Sequence, residues 1–155
     1  MATFESVEAV IKRAIILEDE AATMYTSAAN AAKNAPIRQR LEEMAAQERG
    51  HKARLEEVLK GNVRWAIRKS KSEPVTDLRL SDHLESKPLD TGADYQDVLL
   101  FAARREKEAH DFYKAMAELV DDKFVKDVFE MLANEELRHK YEVEKTYEEI
   151  VYQAF

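Results

Sequence analysis

The chain has 155 residues, a net charge of −7, no cysteine, and only three glycines and three prolines. The acidic balance argues against a nucleic-acid partner, which needs clustered Lys and Arg to displace counterions. The missing cysteines exclude disulfides, thiolate nucleophiles and thiolate metal ligands. With 45% hydrophobic and 35% charged residues and so few chain breakers, the composition predicts one all-α domain over residues 1–155, built from long helices.

Core-type positions recur at alternating spacings of four and three along Val7, Ile11, Ala14, Glu18, Ala21, Tyr25, Ala28 and Ala32, the stripe of a first helix. After a break at Asn34-Ala35-Pro36, a second stripe runs through Ile37, Leu41, Met44, Glu48, His51, Leu55 and Val58 and stops near Gly61. So short a break predicts an antiparallel hairpin. A segment of roughly 62–93 follows, containing Trp65, Pro74, Pro88 and Gly92, with Thr91 or Asp94 available to cap the next helix. The third stripe is Tyr95, Leu99, Ala102, Glu106, Ala109, Tyr113, Met116 and Val120, and the fourth is Val125, Phe129, Leu132, Glu136, His139, Val143, Thr146 and Ile150.

The second hairpin repeats the first, since 106 − 18, 113 − 25, 136 − 48 and 139 − 51 all give 88. So long a linker is unusual inside a compact domain. It fits a four-helix bundle of two antiparallel hairpins whose crossover travels the length of the bundle. Val75, Leu78, Leu80 and Trp65 of the linker are expected to cover a bundle face or meet a partner chain. No stretch approaches the roughly 18 apolar residues of a membrane span, and Met1–Val10 has no basic segment before an apolar run. The expectation is a cytoplasmic protein with no membrane partner.

Each stripe is interrupted near its middle by ionisable residues: Glu18, then Glu48 with His51, then Glu106, then Glu136 with His139. Four carboxylates in one buried layer repel one another and take up protons unless positive charge sits among them. Positions i and i+3 share a helix face, so Glu48 with His51, and Glu136 with His139, each offer an oxygen and a nitrogen to one ion. One Glu from each of two helices plus a Glu-x-x-His from each of the other two is the ligand set of dimetal carboxylate bundles. Mixed imidazole and carboxylate ligands suit Fe, Mn or Zn better than Mg or Ca. Tyr25 and Tyr113 each lie seven residues after a candidate ligand, which lets their hydroxyls hydrogen-bond a ligating carboxylate. Glu135 is set aside as a ligand because the repeat aligns Glu136 with Glu48 and places Gln47 opposite Glu135. His110 falls off its stripe and His83 lies in the polar linker; both are read as solvated.

At these residues the chain resembles the rubrerythrin branch of the ferritin-like superfamily. The motifs are Ala14-Ile-Ile-Leu-Glu18 leading to Met24-Tyr25, Glu48-Arg-Gly-His51, Ala102-Ala-Arg-Arg-Glu106-Lys-Glu-Ala leading to Phe112-Tyr113, and Glu136-Leu-Arg-His139. The resemblance implies a ferritin-like fold, a centre of two Fe ions that reacts with peroxide or oxygen, an external electron donor and a homodimer. It also implies a glutamate one turn after the helix 3 ligand, where this chain has Ala109, and a rubredoxin domain, where the expectation here is a short form without one. The same residues also suit an Fe²⁺-binding, iron-handling protein with ferroxidase activity, or a bundle that holds a structural metal.

Overall fold

The computed structural model describes residues 4–61, 75–82, 84 and 94–153. Four helices carry almost all of them: α1 (Phe4–Ala31), α2 (Ala35–Leu59), α3 (Tyr95–Leu119) and α4 (Lys123–Gln153), with no strand among the described residues. The boundaries follow from local chemistry. Asn34 caps α2 by accepting the Ile37 N–H at 3.3 Å, and Pro36 occupies the first turn, where no N–H is required. At the other end Gly61 takes φ 89°, a left-handed conformation that follows the C-cap residue Lys60. Asp94, one of the two expected caps, forms a reciprocal box with Asp97 at the start of α3. Asp122 does the same service for α4 by accepting the Val125 N–H at 3.0 Å.

α1 packs along α2 and α3 along α4, each as an antiparallel hairpin, giving an all-α four-helix bundle. Two apolar clusters fill the interior. One gathers Ile11, Ala14, Leu55, Val58, Tyr113, Phe129 and Leu132. The other gathers Ala21, Tyr25, Leu41, Met44, Leu99, Ala102 and Val143. The first holds the start of α1 and the ends of α2 and α3, whereas the second holds the starts of α2 and α3. α2 and α3 therefore run parallel, and their connection starts at one end of the bundle and finishes at the other, about 37 Å away at 1.5 Å per helical residue. No helix among the described residues is long and apolar enough to cross a membrane.

Residues 75–82 of this connection lie against α4. Lys140, 1% exposed, sits 2.7 Å from Asp77, 2.9 Å from Asp82 and 3.3 Å from Glu144. Glu144 is equally buried and accepts both the Ser81 N–H (2.6 Å) and the Ser81 hydroxyl (2.9 Å). A buried ammonium with three carboxylates around it is compensated in a way an isolated one is not. Of the linker residues expected to cover a bundle face, Val75 and Leu78 are half-buried while Leu80 stays exposed; Trp65 lies outside the described residues.

Burial raises the Asp77 carboxyl, but hydrogen bonds from Lys140 and from the Arg79 N–H outweigh it and hold the group below its usual 3.8. A carboxyl lowered on folding adds stability above its unfolded pKa and loses it as the pH falls through the folded value. Urea midpoints of the protein and of Asp77→Asn should differ at pH 7 and converge as the pH falls below the usual aspartate range and through the lowered folded value. Lys140→Met, which strands Glu144 and both aspartates, should lose about 3–5 kcal/mol and open the 75–82 segment to limited proteolysis.

Candidate metal centre

Between the two apolar clusters lies a polar layer. Glu18 comes from the middle of α1, Glu48 and His51 from α2, Glu106 from α3, and Glu136 and His139 from α4. All four glutamates are at most 1% exposed, and His51 is 3% exposed. Helical periodicity carries them there, because each continues the stripe whose other members are Leu, Ala, Met and Tyr. The structure brings all six together in two overlapping groups. Glu18, Glu48, His51 and Glu136 form one and Glu106, Glu136 and His139 the other, each with its candidate ligand atoms within 4.8 Å of one another. Glu136 belongs to both. The two imidazoles lie nearly parallel, with ring centroids 5.6 Å apart and planes 9° from coplanar.

Among the described residues, Glu18 Oε2, Glu48 Oε1, His51 Nδ1, both oxygens of Glu106 and of Glu136, and His139 Nδ1 have no hydrogen-bond partner. Leaving one such group buried and unsatisfied costs about 1–3 kcal/mol, more when it is charged. A cluster of them converging on one point fits cations, which hard oxygen and borderline nitrogen donors satisfy together.

The electrostatics divide the layer. Burial raises Glu18, yet hydrogen bonding with Glu48 and His51 and the charge of Arg105 bring it down to about 2. Glu48 is pushed well above the usual carboxylate range, first by burial and then by Glu136 and Glu18. Burial opposes charge on His51, but Glu136 and Glu135 overcome it and raise the imidazole well above its usual value. His139 goes the other way, lowered to about 4 by burial and by the charge on His51, and is neutral at pH 7.

One of the two tyrosines makes the expected contact to a carboxylate of the cluster. The Tyr113 hydroxyl donates to Glu18 Oε1, reaching across to the other hairpin rather than back to Glu106 on its own helix. The Tyr25 hydroxyl, although fully buried, has no partner among the described residues, so the expected contact to a carboxylate is not made there. Both phenols are raised above their usual value, by burial first and then by neighbouring carboxylates, and stay protonated. His110, expected in solvent, is half-buried with Nδ1 2.9 Å from the Ala133 carbonyl oxygen; His83 lies outside the described residues.

Arg105 and the part Glu135 plays beside His51 were not foreseen from the sequence. Arg105 places Nη2 3.0 Å from Glu48 Oε2 and 3.6 Å from Glu18 Oε2. The internal repeat holds its signal, because position 17, which matches it, is Leu. Glu135 is no member of either group but lies 2.9 Å from His51 Nε2 and is itself bound by Arg54. These contacts, led by that to His51, overcome burial and lower Glu135 to about 2. A carboxylate on the outer imidazole nitrogen fixes the ring's orientation and tautomer.

A profile described as Rubrerythrin matches residues 9–93 and 97–154. The chain belongs to the rubrerythrin family. No curated protein and no solved structure matches the chain. Membership of the rubrerythrin family and the buried carboxylate–histidine cluster together fit a di-iron protein. In this rubrerythrin a cleft of about 400 Å³ opens between α1 and α3, walled by Leu17, Ala21, Met24, Ala109 and Phe112, with Glu18, Arg105 and Tyr113 also lining it. Ala109, at the position where the family resemblance implies a glutamate, is part of that apolar wall.

Glu106→Leu removes two unpartnered buried oxygens at once. It should stabilise the metal-free protein by about 1–3 kcal/mol in denaturant titrations, while lowering its metal affinity in calorimetric titrations.

Proposed function

We propose that the chain is a non-haem di-iron oxidoreductase, in which Glu18, Glu48, His51, Glu106, Glu136 and His139 hold two Fe ions that react with peroxide or oxygen. The observation that supports this most is the convergence of unpartnered buried donors from all six residues. Such a layer is costly in a metal-free protein and compensated in a loaded one. When bound, the iron pair supplies the electrons that reduce an O–O bond.

The chain's own residues do the rest. Glu136, shared by both groups, is suited to bridge the two positions, and Glu48 is its counterpart on the other hairpin. His51 and His139 would serve as the two neutral nitrogen donors, one from each hairpin, and the raised His51 imidazole would have to be deprotonated to do so. Tyr113 holds Glu18 in place through its hydroxyl, and Glu135 holds His51. The mostly apolar α1–α3 cleft gives a small uncharged oxidant a path to Glu18 and Arg105. An electron donor from outside this chain completes the cycle, and the protein works in the cytoplasm as a homodimer.

Elemental analysis of the purified protein should give about two irons per chain. Fe²⁺-loaded protein with a chemical reductant should consume peroxide faster than Glu48→Ala by more than the ~10–100-fold that loss of a supporting partner costs. Equal rates for the two proteins would sink the oxidoreductase reading. Uptake of many irons per chain would replace it with iron handling. Zinc alone, with a large loss of stability on chelation and no spectral response to peroxide, would replace it with a structural metal.

A further inference from the structure

The two halves of the centre are duplicated in sequence but not equally free. On the α1–α2 side every residue already has one of its two ligand atoms engaged. Tyr113 donates to Glu18 Oε1, Arg105 Nη2 lies 3.0 Å from Glu48 Oε2, and His51 Nε2 lies 2.9 Å from Glu135, which leaves Glu18 Oε2, Glu48 Oε1 and His51 Nδ1 without a hydrogen-bond partner among the described residues. On the α3–α4 side both oxygens of Glu106 and Nδ1 of His139 have no hydrogen-bond partner among the described residues. The nearest approach between these two residues is 3.9 Å.

A cation arriving on the α3–α4 side displaces nothing from Glu106 or His139, and at the shared Glu136 it meets only the His51 Nδ1 approach to Oε1 at 2.8 Å, with no guanidinium in the way. One arriving on the other side meets a guanidinium already bonded to a ligand oxygen, which repels it and must first be moved. The repeat puts the uncharged Leu17 where the second hairpin has Arg105, so the obstruction belongs to one half alone.

We propose that the centre fills in order: a first divalent ion at Glu106, Glu136 and His139, and a second at Glu18, Glu48 and His51 once Arg105 has been drawn off Glu48. This rests on the dimetal reading of the cluster. Arg105 is a positioning residue here, not a ligand; it sets the affinity of the second ion by competing for Glu48. At limiting metal the protein therefore collects singly loaded chains, and the complete pair forms only when supply exceeds demand.

Zn²⁺ serves as a diamagnetic probe of the full chain. Calorimetric titration should resolve two steps, the second weaker by about tenfold or more, as expected for breaking a charge-assisted hydrogen bond. Imidazole resonances followed by NMR should show His139 shifting with the first equivalent and His51 with the second. In Arg105→Leu, which copies Leu17, the second step should tighten by about tenfold or more while the first is unchanged; Arg105→Lys should restore the separation in part. If that variant does not fold, the order of the histidine shifts in the unaltered protein decides. His51 shifting first, both histidines shifting together, or a gap between steps that ignores Arg105→Leu overturns the proposal while leaving the dimetal reading intact. No zinc uptake at all overturns both.

Discussion

The mutual repulsion of four glutamates in one buried layer is the constraint on which the rest of this structure depends. Carboxylates removed from water this completely cannot all remain ionised without compensation. The protein meets the problem in three ways at once. Burial and its carboxylate neighbours raise Glu48 well above the usual carboxylate range, the carboxylates of Glu135 and Glu136 raise the His51 imidazole between them, and Arg105 brings a guanidinium to Glu48 and Glu18. These are stand-ins for the charge that cations would bring, and they explain how the layer persists between two apolar clusters. Those clusters, anchored by Phe129, Leu132 and Leu55 on one side and by Leu41, Leu99 and Met44 on the other, hold the helices in register.

Duplication sets the frame and asymmetry sets the chemistry. The ligand positions obey the repeat of 88 residues without exception, but the groups that support them do not. Arg105 faces the carboxylates where the first hairpin has Leu17; Glu135 orients His51 where the matching position beside His139 is Gln47; Tyr113 bonds Glu18 while Tyr25 bonds nothing described. The crossover deepens the difference. It covers Lys140 of α4, whereas Lys52, its repeat partner on α2, reaches out to Asp19 on the surface. Two helices that began as copies of two others therefore present one engaged and one open half to whatever enters the centre.

Much of this was legible in the chain before any coordinates. The four stripes, the break at Asn34-Ala35-Pro36, the cap at Asp94, the stop at Gly61 and the convergence of six buried acid and imidazole side chains are all consequences of helical periodicity and local turn chemistry, which act over a few residues. The parallel course of α2 and α3 followed from the length of the linker. Glu135 and Arg105 were harder, because each lies one position before a ligand, where periodicity assigns a flank of the helix rather than its inner face. Where a long side chain on a flank comes to rest depends on which helix stands beside it, and only the packed bundle supplies that neighbour.

The sequence by itself determined the helices, their pairing into hairpins and the identity of the buried acid–imidazole layer, since these rest on spacing within single elements and on an internal copy that can be counted. The tertiary structure alone decided which ligand atoms are already engaged: that Tyr113 crosses to Glu18, that Arg105 sits on Glu48, and that Ser81, Asp77 and Asp82 close over Lys140 and Glu144. The physical reason is that these contacts join residues about 60 to 95 positions apart, through side chains whose reach is two or three bonds beyond anything that periodicity constrains.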